Sequence, residues 1–180
     1  MKFKVTPQSI PDVLLIEPTV YADDRGYFKE SYNLKDFEEF LPGVKFVQDN
    51  ESKSSRGVLR GLHFQKPPHA QAKLIRVIQG SIWDVAVDIR PHSPTFKQYC
   101  FAEITAENHF QFFVPRGFAH AFIVTSETAI VQYKTDNFYA PESDAGIHAH
   151  DPELAIPWPL TRSEHLLSNK DSELPNFLDL

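Results

Sequence analysis

The chain has 180 residues, 18 Lys+Arg against 24 Asp+Glu for a formal net charge of −6, and a hydrophobic fraction of 42%. That length buries a substantial core as one domain, and 13% aromatic with only 23% charged residues excludes a disordered chain. There is no run of Lys/Arg, which excludes a broad electrostatic footprint for nucleic acid, so an anionic ligand has to be held by a local cluster of bases.

Cys100 is the only cysteine, which rules out an intramolecular disulfide and a thiolate-rich metal site and suits a reducing cytoplasm. Residues 1–17 contain no continuous apolar region of the length a signal peptide needs, and the longest apolar stretches elsewhere, such as 121–124, are only strand-sized. Neither an export signal nor a membrane span is expected.

Proline (14) outnumbers glycine (7) and falls between short apolar runs, a pattern of many turns and few long helices. In chain order, the alternation predicts strands at 13–17, 27–31, 44–48, 59–65, 72–79, 81–89, 98–104, 109–114, 119–125 and 129–135. Their spacing is that of an antiparallel sandwich or barrel. Two peripheral helices are expected: one over 34–41 capped by Asn33, and one opened by the Thr161/Glu164 capping-box pattern before Leu166 and Leu167. The polar, proline-containing tail 168–180 reads as an ordered flap or as a frayed end.

The most informative stretch is Gly57-Val-Leu-Arg60-Gly61-Leu-His63-Phe-Gln65, followed by Lys73 and Gly80. It resembles the first cupin motif, and Pro115-Arg-Gly117-Phe-Ala-His120 resembles the second. The four metal positions of that pattern fall on His63, Gln65, Lys73 and His120. Only two imidazoles remain and a protonated lysine donates no lone pair, so no metal is expected at the barrel mouth. Alternation puts His63 with Gln65, Lys73 with Ile75 and Val77, His120 with Phe122 and Val124, and Tyr133 with Val131 and Thr135 on shared faces. Titratable groups interleaved with bulky apolar ones are partly desolvated, the condition that tunes acids and bases. Taken singly, His63 and His120 also read as hydrogen-bonded core histidines and Tyr133 as a wall residue. A buried lysine without a carboxylate partner resists such a reading, because its desolvation is costly.

These residues also carry a resemblance that runs over nearly the whole chain. The sequence resembles the dTDP-4-dehydrorhamnose 3,5-epimerases, dimeric cupin-type jelly rolls of bacterial nucleotide-sugar metabolism. The match includes Asp24, Arg25, Gly26, Phe28 and Glu30; Phe46 with Gln48-Asp49-Asn50; 52–55; 57–65; Asp84 to Asp88 and Arg90; 93–96; 115–120; Tyr133 to Tyr139; 141–143; and Ser168, Lys170 and Asp171.

The resemblance implies an all-β, cupin-type jelly-roll barrel with short peripheral helices, as a single domain over 1–180. An N-terminal arm would occupy about 1–45, the barrel about 46–140 and a C-terminal helical tail about 141–180. The implied reaction inverts carbons 3 and 5 of dTDP-4-dehydro-6-deoxy-D-glucose, without a cofactor, to give dTDP-4-dehydro-L-rhamnose on the route to dTDP-L-rhamnose and cell-surface polysaccharide. His63 would be the base, Asp171 its orienting carboxylate, Lys73 the stabiliser of the enolate oxygen and Tyr133 the acid on the opposite face. Arg60 and Lys170 would meet the diphosphate and Tyr139 the thymine. Arg25, Phe28, Glu30, Gln48, Asp49, Asn50, Gln65, His120 and Asp144 would complete the substrate site. In a homodimer the segment from Arg25 to Glu30 would reach the neighbouring site. No nucleic-acid or membrane partner is implied. Alternatives are inversion at carbon 3 alone, a metal-dependent cupin, and a non-catalytic nucleotide-sugar-binding cupin.

Two departures stand out. The family pattern Gly-Ile-Arg-Trp is Gly146-Ile-His148-Ala149 here, followed by His150, and His148 and His150 are expected as a solvent-exposed pair. Ala121 stands where glycine is usual, which is expected to tighten the backbone packing near the site.

Overall fold

The structure, a computed structural model, describes residues 2–179. Met1 and Leu180, the ends of the expected 1–180 domain, lie outside the described residues. The described residues form strands at Phe3–Pro7 (β1), Leu14–Pro18 (β2), Val20–Asp23 (β3), Gly26–Lys29 (β4), Gln48–Ser55 (β5), Leu59–Gln65 (β6), Lys73–Gln79 (β7) and Ser81–Asp88 (β8). Tyr99–Thr105 (β9), Gln111–Val114 (β10), Phe118–Val124 (β11), Thr128–Thr135 (β12) and Asp144–Gly146 (β13) complete them, with short helices at Leu34–Glu38 (α1) and Asn169–Ser172 (α2).

All pairings between these strands are antiparallel. One sheet runs β1-β2-β10-β7-β12-β5, a second runs β13-β6-β11-β8-β9, and β3-β4 is a separate hairpin. The two large sheets face each other as a jelly roll and are not hydrogen-bonded into a closed barrel. Between them lies the main core, with Ile75, Val77, Phe112 and Val131 from the first sheet against Ile82, Ala86, Ile104, Phe118 and Phe122 from the second.

The second sheet is covered on its other face too, where Leu62, Val85, Val87, Ala119 and Ala121 pack under Ile147, Leu154, Ile156 and Phe177 of the C-terminal region. That double cover explains why every residue of β11 is buried and why its sequence, FAHAFIV, reads as an almost unbroken apolar run. The first sheet is covered over part of its outer face by α1, whose Phe37 packs with Phe3, Leu14, Ile16 and Phe113.

Most expected strands lie within two residues of the observed ones. The exception is 44–48: the strand is β5, whose polar sequence QDNESKSS carries no hydrophobic alternation and is specified by its eight-residue register with β12. β1, β3 and β13 were not anticipated either. β3 and β4 pair mainly with each other and leave Tyr21, Tyr27 and Phe28 exposed.

Asn33 does cap α1, its Oδ1 accepting the Lys35 N–H at 3.0 Å. The Thr161/Glu164 capping box also forms, but it opens only one 3₁₀ turn. The chain is then drawn back to β6, with Leu166 N–H donating to Gly57 O at 2.9 Å and Leu59 N–H to Leu166 O at 3.0 Å. The tail is therefore ordered and mostly irregular instead of helical.

One carboxylate fastens that tail. Asp151, 3% exposed, accepts the Leu154 N–H at 2.8 Å and the Phe177 N–H at 2.7 Å. Asp151→Ala leaves two buried N–H groups unpaired, and the expected outcome is a loss of about 2–4 kcal/mol in chemical denaturation together with faster proteolysis of residues 152–179.

Candidate active site

β6 comes from one sheet, and β7 and β12 come from the other. Between them opens a cleft of about 200 Å³ lined by Gln48, Asn50, His63, Phe64, Gln65, Gln71, Lys73, Tyr133, Tyr139, Asp144 and Lys170. Its volume is below that of a site enclosing a whole drug-sized ligand, so it suits one ring of a larger molecule whose remainder lies over the rim. A roomier groove of about 920 Å³ beside β1 and α1 has both of its lysines paired, Lys2 with Asp36 and the neighbouring Glu30 and Lys4 with Glu17.

His63 projects from β6, and its Nε2–H donates to Asp171 Oδ1 at 2.6 Å. That bond leaves Nδ1 as the basic nitrogen. Asp171 reaches the site from α2, where the Ser168 hydroxyl accepts its N–H at 3.1 Å. Burial works to raise the Asp171 carboxyl. The hydrogen bond and charge of His63, with the Gly61 N–H and Ser168, outweigh it and hold the group below the usual carboxylate range. Asp171 therefore stays an acceptor and fixes the imidazole tautomer.

Lys73 enters from the facing sheet, its Nζ 3.4 Å from the His63 carbonyl oxygen. Burial pushes its ammonium down to about 8, against the opposing pull of Asp84 and Asp144. Tyr133, on the neighbouring strand β12, is raised by burial, partly offset by Arg60, so its phenol keeps its proton at neutral pH. Behind His63, its register partner His120 donates Nε2–H to Asp84 Oδ1 at 2.7 Å. Both are buried and neither lines the cleft.

Gly61 makes this stacking feasible. At φ +117, a Cβ there would lie 2.5 Å from His120 O and 2.6 Å from the Ala121 methyl. Ala121 thus closes the space over Gly61, the tightening expected from the alanine.

Gln48 and Asn50 share the inward face of β5 and are joined at 3.0 Å, and Gln48 Oε1 accepts the Tyr139 N–H at 3.2 Å. Asp49, between them, faces away and pairs with Lys134 at 2.8 Å. Tyr139 donates its hydroxyl to Asp144 at 3.2 Å, and Asp144 also pairs with Lys170 at the rim. Arg60 is exposed and bonded to Ser54.

Besides His120, Asp49 and Arg60, which do not line the cleft, Arg25, Phe28 and Glu30 are not brought near it within one chain. Arg25 pairs with Asp23 in its own hairpin, Phe28 is 70% exposed and Glu30 pairs with Lys2. Conversely, Phe64 and Gln71 line the cleft without having been singled out. Gln71 lies two residues before Lys73, so period-two alternation was the available signal. Among the described residues no group of three or more His, Cys, Asp or Glu is arranged to hold a metal ion.

The expectation of a solvent-exposed His148/His150 pair is corrected. Both are half-buried, and His150 stacks on His165 with the rings 5.0 Å apart and its Nε2 2.7 Å from His165 Nδ1. Burial, with Arg162 and His165 nearby, pushes His150 down to about 4. Beside the missing Trp, Trp158 packs near Ala149 and donates its indole N–H to the Ala149 carbonyl at 2.8 Å.

A jelly roll carrying a carboxylate-oriented histidine, a buried lysine and a phenol in one cleft is equipped for proton transfer on a small polar substrate. The comparisons make this class specific. A family model described as dTDP-4-dehydrorhamnose 3,5-epimerase matches residues 7–179, and the chain belongs to that family. It is 52% identical over 166 residues to the dTDP-4-dehydrorhamnose 3,5-epimerase of Escherichia coli, covering 92% of this chain and 89% of that one. The crystal structure of the enzyme of that name from Elizabethkingia anophelis superposes with a TM-score of 0.94 at 52% identity, covering 99% and 98% of the two chains. A dTDP-6-deoxy-D-glucose-3,5-epimerase from Legionella pneumophila, solved with dTDP-4-keto-L-rhamnose, gives 0.94 at 46%, covering 99% and 94%.

Gln65 holds the rim together. Its amide donates to His69 O at 2.6 Å and Phe138 O at 3.1 Å, and its Oε1 accepts the Ala140 N–H at 2.7 Å. Gln65→Leu is expected to cost about 2–3 kcal/mol in thermal unfolding and to raise hydrogen exchange at Ala140, with the other face of the molecule unaffected.

Proposed function

We infer that this protein inverts carbons 3 and 5 of dTDP-4-dehydro-6-deoxy-D-glucose, giving dTDP-4-dehydro-L-rhamnose. The carrying observation is that His63, bonded to Asp171, and the Tyr133 phenol stand on opposite sheets of one cleft that Lys73 also lines. The 4-ketone acidifies the hydrogens on both neighbouring carbons. His63 Nδ1 takes a proton from one of them, and the electron pair of the broken C–H bond moves into the carbonyl to make an enolate. Lys73 stabilises the oxygen that becomes negative, a preorganised contact of the kind worth about 10²–10³-fold. Tyr133 then returns a proton to the same carbon from the other side, which inverts it. Solvent resets the imidazolium and phenolate before the second carbon reacts.

The local cations Arg60 and Lys170 suit the diphosphate in an otherwise acidic protein, and Tyr139 suits the thymine. Gln48, Asn50 and Asp144 supply hydrogen bonds along the rim, with Gln65 and His120 supporting the sugar pocket from behind. Arg25, Phe28 and Glu30, and Asp49 on the far side of β5, are assigned to the substrate site through a homodimer, in which the β3-β4 hairpin reaches the partner's cleft. The exposed Tyr21, Tyr27 and Phe28 on that hairpin support this. Among the described residues no helix is long and apolar enough to cross a membrane, and we place the enzyme in the cytoplasm.

In heavy water, NMR of the product is expected to show deuterium at both carbon 3 and carbon 5. His63→Ala is expected to lower kcat by about 10³-fold or more with dTDP binding retained. Label at carbon 3 alone would assign a mono-epimerase. Binding without any label would leave only a nucleotide-sugar-binding protein.

The pH profile tests the lysine. Lys73 must be charged to stabilise the enolate, and its ammonium titrates at about 8 instead of near the usual lysine value. Activity is therefore expected to fall as pH rises through about 8, and Lys73→Met is expected to abolish that limb along with most of kcat.

A further inference from the structure

We propose that Asp84 is a positioning residue for this reaction, the buried counter-charge that holds Lys73 charged and His120 oriented beneath the sugar pocket. The proposal rests on the epimerase reading above, and it concerns a residue that touches no substrate.

Strand order brings the groups together. β6, β11 and β8 are adjacent, so His63, His120 and Asp84 cross three neighbouring strands, with His120 in register with His63. Asp84 alternates with Ile82 and Ala86, both in the core between the sheets, and the same core receives Ile75 and Val77 from the face of β7 that carries Lys73. Asp84 and Lys73 therefore enter one apolar layer from opposite sheets.

Asp84 has no exposed surface, and only one of its oxygens is used. Oδ1 accepts the His120 Nε2–H at 2.7 Å, while the buried Oδ2 has no hydrogen-bond partner among the described residues. A neutral asparagine or threonine would fill such a position at lower desolvation cost, so a carboxylate there needs a charge to answer. Lys73 is that charge. Its one hydrogen bond is the long contact to the His63 carbonyl, and the anions that act on it are Asp84 and Asp144.

The other groups facing this layer do not substitute for Asp84. Asp144, on β13, is already paired with Lys170 and bonded by Tyr139. Asp171, on α2, is committed to His63. Burial lowers His120, an imidazole supplies no negative charge, and Tyr133 stays protonated. Burial raises the Asp84 carboxyl, and His120 and Lys73 pull it back. The hydrogen bond also settles the His120 tautomer, since an Nε2–H committed to Asp84 leaves Nδ1 as the free nitrogen.

The test titrates the Lys73 ammonium by ¹⁵N NMR in the full chain and in Asp84→Asn, assigned by its absence from Lys73→Met, alongside kcat/KM against pH. Asparagine keeps an oxygen for the His120 N–H and removes only the charge. The expected result is a Lys73 midpoint lower by about one pH unit or more, with the alkaline limb of kcat/KM moving down in step. An unmoved midpoint overturns the proposal. A midpoint that falls while the limb stays leaves the Asp84–Lys73 coupling standing and overturns the catalytic reading of Lys73. Should Asp84→Asn fail to fold, the ¹³C carboxyl resonance of Asp84 in the wild type decides. An ionised signal at pH 7 supports the counter-charge, and a neutral carboxyl overturns it.

Discussion

The hydrogen bond from His63 to Asp171 spans 108 residues of sequence, and much of the C-terminal third is arranged to make it. After β13 the chain crosses the outer face of the second sheet, where Ile147, Leu154 and Ile156 bury against it. Asp151 ties the far end of this excursion to Phe177, and Leu166 bridges back to Gly57 and Leu59. Only then does the single turn of α2, capped by Ser168, present Asp171 to the imidazole. A carboxylate on so short a helix has little intrinsic order, so its position is set by the packing on either side. Apolar burial remote from the cleft is thereby converted into the placement of one oxygen.

The jelly roll supplies the second constraint. An inversion needs donor and acceptor on opposite faces of one carbon, and two facing sheets provide two faces without any moving part. His63 stands on the second sheet, and Lys73 and Tyr133 stand on adjacent strands of the first. Inward positions of facing strands are also the ones removed from water, so the geometry that opposes the groups also raises Tyr133 and lowers Lys73. Position and proton affinity follow from one cause.

How much of this was legible in the sequence divides along physical lines. β6, β7, β8 and β11 could be read to within two residues, because each buries much of at least one face and the side-chain period is strict. That alternation put His63, Lys73 and Tyr133 each on the inward face of its own strand, while their meeting in one site was reached through the family resemblance. β5 could not be read that way, since its polar residues are held by the ladder to β12 and not by burial. The tail was ambiguous because its order comes from long-range partners. Asp171 itself was reached only through the family resemblance. His148 and His150 were misjudged for a related reason: the returning tail, with His165 stacked on His150 and the His148 N–H donating to Pro175 O, shields a segment that is polar in its local sequence. Arg25, Phe28 and Glu30 lie on a hairpin that no second sheet covers, so one chain leaves them at the surface.

Charge distribution ties these levels together. The protein as a whole is acidic, and its surface repels a diphosphate weakly at any distance beyond the screening length. Within the cleft the balance is local: Lys73 faces Asp84 and Asp144, and Lys170 is engaged by Asp144 at the rim. Lys170 is thus held by a carboxylate and Lys73 by burial before substrate arrives, which keeps two long side chains ordered and lowers the entropy lost on binding. Asp144 serves both lysines and the Tyr139 hydroxyl, so it links the groups proposed for the sugar, the diphosphate and the base. A diphosphate bound at Lys170 as proposed would compete with Asp144 for it without disturbing Asp84, because Asp84 is sealed beneath His120. The rim can exchange partners while the charge beneath the cleft stays fixed, the separation that the proposed role of Lys73 requires.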